Sequence, residues 1–155
     1  MLFELNVETD AGQRIARFKL QDEHGRHLAA NEVKLGDHSP LMWEGLFDTR
    51  RHVRRDAGSL LLEGQTRPAT ADQLIERLGM FLGQHVLGPK IMGQLLATKQ
   101  HRTLLVRLPA AADVLAAAMA RVPWEIARPG PGESPQRSSE VCSRIDHSSS
   151  PAEGN

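Results

Sequence analysis

The stretch TLLVRL, residues 103–108, decides the fold. It is short and nearly continuous in apolar residues, and Pro109 closes it. Runs of this kind fit a strand covered on both faces, as in a parallel or mixed sheet. One central strand between helical segments has no neighbours of its own. Either the N-terminal strands supply them, or residues outside this sequence do.

Working back toward the N-terminus, residues 2–8 alternate, with Phe3, Leu5 and Val7 on one side and Glu4, Asn6 and Glu8 on the other. That period reads as a half-buried strand. Asp10-Ala11-Gly12 makes a turn, and residues 13–21 alternate again through Ala16, Phe18 and Leu20. The two form a hairpin. A second turn, Asp22-Glu23-His24-Gly25, leads to a third strand over 27–35.

Helical patterns fill the space between that meander and residue 103. Ser39-Pro40 reads as an N-cap followed by Pro at the first helical position. The spacing predicts a helix from about Pro40 to Ala57, with Met42, Trp43, Leu46, Phe47 and Val53 near one face. Arg50, Arg51, Arg54 and Arg55 lie toward its end, where cations gain about 0.3–1 kcal/mol each from the macrodipole. These arginines read as a solvated helix end, with a phosphate or acidic-partner site as the alternative. Thr70-Ala71-Asp72-Gln73 has the capping-box pattern and opens a helix through His85. Gly88-Pro89 stops it, and Pro89 begins another helix containing Ile91, Met92, Leu95 and Leu96. After the strand, Asp113 caps a short helix, VLAAAMA, that runs into Pro123-Trp124-Glu125.

The fold class is therefore α/β: a β-hairpin or meander, three helices, a buried strand and a short helix. The folded part spans residues 1–128. From Pro129 the composition changes to Pro, Gly and Ser, which cannot bury enough apolar surface to offset chain entropy. Residues 129–155 read as a disordered tail.

Composition bounds the function classes. Of 155 residues, 40% are hydrophobic and 25% charged, but only 4% are aromatic, so the core is mainly aliphatic. The 19 basic and 19 acidic residues balance, which gives no reason to expect nucleic acid or an anionic membrane as partner. No apolar run approaches the roughly 20 residues that span a bilayer. MLFELNVETD lacks the basic and apolar regions of a signal peptide, so the expected location is the cytoplasm. Cys142 is the only cysteine, which excludes an internal disulfide and a four-thiolate metal site.

The search for chemistry is mostly negative. Gly88 and Gly93 are spaced like P-loop glycines, but Gln94-Leu95 stands where Lys-Ser/Thr is required. There is no Gly-x-Ser-x-Gly elbow, His-Glu-x-x-His or Gly-x-Gly-x-x-Gly. His24 and His27 read as turn residues, since nothing completes a metal set with them. His85 reads as a core or half-buried histidine on the apolar face of its helix. Cys142 and His147 share the tail, without the fixed geometry that a nucleophile and its base require. The expected catalytic, cofactor-binding and metal-ligating residues are none.

Three stretches carry a family resemblance: EGLFDTRRHVRR, LIERLGMFLGQHVLGPKIMGQLL, and RTLLVRLPAA…LAAAMARVPWEIARPGPGE. In this order they resemble the opening part of CHAT-domain proteins, bacterial caspase-like proteins often associated with tetratricopeptide repeats. The match covers roughly residues 40–133. The resemblance implies a caspase-like fold and, in the family's peptidase members, a His and a Cys in strand-end motifs well beyond Pro-Trp-Glu. This sequence has no residues at those motifs, and Cys142 and His147 do not occupy them. The implied function is a truncated N-terminal portion of a CHAT-like cysteine-peptidase protein, inactive alone, its tail a frameshift product or premature end. The alternative is a non-catalytic α/β adaptor that binds a protein partner.

Overall fold

The structure, a computed structural model, describes residues 1–109 and 113–130 with their side chains, and the backbone of residues 142–146. The N-terminal alternation folds as read. Strands β1 (Leu2–Asp10), β2 (Ile15–Asp22) and β3 (His27–Lys34) form an antiparallel meander. Strand β4 (Thr103–Arg107) lies parallel to β1, with Leu5 level with Val106. The N-terminal meander thus supplies the neighbours that the apolar run requires. The mixed sheet has the order β3-β2-β1-β4-β5, where β5 is Cys142–Asp146, parallel to β4.

One face of the sheet makes the core. Phe3, Leu5 and Val7 of β1 stand beside Leu20, Phe18 and Ala16 of β2 and beside Leu104 and Val106 of β4, all buried. The other face is polar. Lys19 pairs with Glu8 at 3.0 Å, Arg17 with Glu32 at 2.7 Å, and Arg107 with Glu4 at 3.1 Å. Exposed pairs of this kind contribute at most about 1 kcal/mol each, so they keep the face soluble more than they hold the sheet. The expectation that TLLVRL is covered on both faces is corrected here. Thr103 and Arg107 are exposed and Leu105 is half-buried. The run follows the same in–out alternation as β1, with Leu105 on the polar side hiding the period.

Four helices connect β3 to β4 and cover the apolar face. The single helix expected over 40–57 is two helices, α1 (Pro40–Phe47) and α2 (Thr49–Asp56). Asp48 breaks the run: its backbone leaves the helical region, and its carboxylate accepts the Arg51 N–H as the N-cap of α2. The break rotates α2, so His52 is buried and Val53 only half-buried. Ser39, read as a cap, makes no side-chain cap bond. Helix α3 (Ala71–Phe81) opens on the expected capping box, with Thr70 Oγ1 accepting from Gln73 N at 3.2 Å and Gln73 Oε1 accepting from Thr70 N at 3.0 Å. Past Phe81 the coil widens to a π-helical stretch, Leu82–Leu87, before α4 (Gly88–Ala97). Asn31 of β3 donates to the Val86 carbonyl at 2.8 Å, one of the groups in that widened turn. His85, expected in the core, is exposed on this stretch. Asp113 caps α5 (Val114–Met119) as expected, accepting from Leu115 N at 2.7 Å.

The expectation for residues 129–155 falls mostly outside the described residues. Two short pieces of it are described. Gly130 lies against Gln84 of the π-helical stretch, and Cys142–Asp146 add to the sheet as β5. Composition does not register this pairing, because a ladder needs only backbone groups.

Candidate functional site

The second and third of the stretches that carry the resemblance meet at one place. Val122 and Trp124 are buried, with Trp124 only 1% exposed. The Trp124 indole meets the Phe18 ring edge-on at 5.9 Å, so it fills the space between the sheet and the helical layer. Pro123 precedes a single 3-10 turn, Trp124–Ile126, that redirects the chain. The chain then runs across α3 and the π-helical stretch as a strap over 126–130. The strap lies on two glycines. A Cβ on Gly79 would overlap the Ile126 carbonyl oxygen, and one on Gly83 would overlap that of Arg128. With no side chains there, the backbones come close enough for Arg128 N to donate to Gly79 O at 2.9 Å. Gly130 in turn lies against Gln84, where a Cβ would come within 2.7 Å of the amide nitrogen. The glycines of the Leu-Gly…Phe-Leu-Gly stretch are thus a groove for the chain that follows Pro-Trp-Glu.

A second cluster lies where α1, α3 and the π-helical stretch meet. Trp43 packs on Phe81 at 5.2 Å and on Phe47 at 5.8 Å, and its Nε1–H donates to the Leu35 carbonyl at 3.0 Å. At its rim the imidazoles of His38 and His85 stand 4.9 Å apart, centroid to centroid. Partial burial, and then the neighbouring His38, lower the His85 pKa. Among the described residues, no carboxylate or hydroxyl hydrogen-bonds to either ring, so none of them forms a proton relay with the pair.

The third candidate is His52, 4% exposed, beneath α1 and α3. Its Nδ1 lies 3.1 Å from Asp56 Oδ2, yet makes no aligned hydrogen bond. Burial pushes its pKa down, which outweighs the opposing attraction of Asp56; Arg55 and Arg77 lower it further, and Glu44 raises it. His52 is therefore neutral at pH 7. A histidine depressed in the folded state stays unprotonated while the unfolded chain takes up a proton. Stability then falls as pH drops below the ordinary imidazole value of about 6.5. His85 acts with the same sign. We expect the thermal midpoint to be lower at pH 5.5 than at pH 7.5, and His52→Gln to narrow the gap. A gap unchanged in that variant would remove His52 as its cause.

Of the arginines on α2, Arg55 pairs with Asp56 at 3.0 Å and with Glu44 at 3.6 Å. Arg50, Arg51 and Arg54 are exposed on the same helix. His24 and His27 are both exposed at the β2–β3 connection, where the buried Asp22 carboxylate, accepting from His24 N and Arg26 N at 2.9 Å each, fixes the turn. Backbone donation from Arg26 holds the Asp22 pKa below its ordinary value. Cys142 lies on β5 with only its backbone described, and His147 lies outside the described residues. Among the described residues, no three His, Cys, Asp or Glu side chains gather as a metal-binding group. No helix among them is long and apolar enough to cross a membrane. Sequence reasoning missed the buried state of His52 and the glycine groove; the four-residue spacing of Gly79 and Gly83 was the available signal for the latter.

No family model, no curated protein and no solved structure matches the chain.

Proposed function

We propose that this chain is the non-catalytic N-terminal portion of a CHAT-like, caspase-like α/β domain. Its part is structural: it presents a parallel sheet edge and a seated Pro-Trp-Glu strap to whatever completes the domain. The observation that supports this is the contact between the second and third of the stretches that carry the resemblance. Gly79 and Gly83 receive the backbone of Ile126–Arg128, Trp124 sits on Phe18, and β4 lies beside β1 in one core. On this reading the chain alone is inactive as a peptidase. The full-length family role, cysteine-peptidase activity in bacterial stress, defence or death signalling, belongs to the completed domain.

The coding DNA tests this reading. Another frame, followed from about codon 129 onward, should give alternating apolar strands, a His-Gly and later a Cys. An open stretch shorter than about 100 residues, roughly what a second half-domain requires, would end it. A thiol-directed activity probe gives a second test. Cys142 should label at neutral pH no faster than free cysteine; faster labelling that is lost on unfolding would make this chain a thiol enzyme in its own right.

The exposed Arg50, Arg51 and Arg54 favour a second reading, a non-catalytic adaptor that binds an acidic protein partner. Replacing all three by Gln should then abolish capture of that partner while leaving the melting temperature unchanged.

A further inference from the structure

The outer edge of β4 carries an inference that rests on the sheet register and not on the family resemblance. An edge strand presents a row of unpaired N–H and C=O groups, a template for another chain. Here the template is filled by residues distant in sequence. Cys142–Asp146 run parallel to β4 over five levels, Thr103 with Cys142 through Arg107 with Asp146. A stretch of 11 residues, 131–141, separates this strand from the strap. β5 also packs beside the Trp124–Ile126 turn, so the strap and the edge adjoin.

The resident strand is a poor match for its place. β4 contributes Leu104 and Val106 to the core. The register sets Ser143 level with Leu104 and Ile145 level with Val106. An aliphatic residue therefore stands at only one of the two levels. Asp is also among the residues depleted in strands. In strand addition, main-chain hydrogen bonds supply affinity and alternate side chains supply specificity. This edge offers the first in full.

We propose that the outer edge of β4 is a strand-docking site: Cys142–Asp146 is a weak resident in cis, and its stronger occupant is an extended peptide with aliphatic residues level with both Leu104 and Val106. The peptide lies parallel to β4 and displaces β5.

Cys142 is the only cysteine, so a thiol introduced at Thr103 has one partner within the chain. Thr103 is exposed, and residues level on adjacent strands lie about 4.7–4.9 Å apart, within disulfide reach. Mild oxidation of Thr103→Cys should give an internally cross-linked monomer. Glu32→Cys, on the far edge strand β3, should give none. A synthetic peptide of residues 140–148 carrying Cys142→Ser and Ser143→Val, in excess, should lower the cross-link yield several-fold. The same peptide with Ser143→Asp should leave the yield unchanged. Three outcomes overturn the proposal: a yield no higher than in Glu32→Cys, a disulfide-linked dimer as the main product, or equal displacement by the two peptides. The first two remove the resident strand, and the third removes the specificity of the edge.

Discussion

Gly83→Ala is expected to destabilise the protein, although the same exchange in an open helix stabilises. In a helix interior alanine gains about 0.8–1 kcal/mol over glycine. At Gly83 the new methyl would overlap the Arg128 carbonyl oxygen, a backbone atom that cannot rotate away. Forcing a methyl into a packed contact costs about 1–3 kcal/mol, and more where backbone must move. The steric term therefore wins, and the strap lifts from α3 or the π-helical stretch shifts. Gly79→Ala, which would meet the Ile126 carbonyl, should act in the same direction and also loosen the bond from Arg128 N to Gly79 O. Gly93 supplies the control. It is exposed on α4 with nothing within 4 Å of a built Cβ, so Gly93→Ala should stabilise by up to about 1 kcal/mol. Urea unfolding midpoints decide the matter. If Gly83→Ala and Gly93→Ala moved the midpoint in the same direction, the strap would not be held in the groove.

The contrast between these glycines shows what a sequence reveals of this fold. The strands of the meander were legible because one buried face imposes a period of two on side chains that touch it. β4 obeys the same rule, but Leu105 on the polar side makes its period look continuous. The capping boxes and caps at Thr70 and Asp113 were legible because they satisfy backbone donors within three residues. Asp48 belongs to the same class and went unread, because the apolar residues on either side keep helical spacing across the break. The parallel pairing of β1 with β4 spans about a hundred residues and leaves no local mark beyond the need for a neighbour. His52 is hidden for another reason: four arginines surround it in sequence, and only the rotation of α2 after Asp48 turns it inward. Gly79 and Gly83 were visible as a pair, but a pair of small residues does not say which chain approaches it. That chain is the one after Pro-Trp-Glu, some forty residues downstream.

Trp124→Ala is expected to cost the most of any single exchange in the folded part. Removing a buried Trp side chain costs about 3–5 kcal/mol. A whole domain has roughly 5–15 kcal/mol of stability. The indole is among the largest fully buried side chains, and it joins the strap to the sheet through Phe18. Its loss would leave a cavity under the strap and release the Trp124 end of the 126–130 segment from the sheet. The variant should be largely insoluble, or soluble without a cooperative melt. Trp124→Phe separates volume from polarity. Among the described residues the Trp124 Nε1–H has no acceptor, whereas the Trp43 Nε1–H donates to Leu35 O. Removing an unbonded buried donor forfeits no hydrogen bond, so Trp124→Phe should lose only the missing ring atoms, on the order of 1–2 kcal/mol. Trp43→Phe loses the same atoms and also leaves the Leu35 carbonyl without its donor, which adds about 1–3 kcal/mol. Trp43→Phe should therefore be the more damaging of the two phenylalanine exchanges, while Trp124→Ala remains worse than Trp124→Phe. Thermal or urea denaturation of the three variants measures this order directly. A Trp124→Ala protein that melts at the parent temperature would place Trp124 outside the core and free the strap from the sheet. A Trp124→Phe loss as large as that of Trp124→Ala would mean that the indole N–H holds a bond worth more than the ring it belongs to.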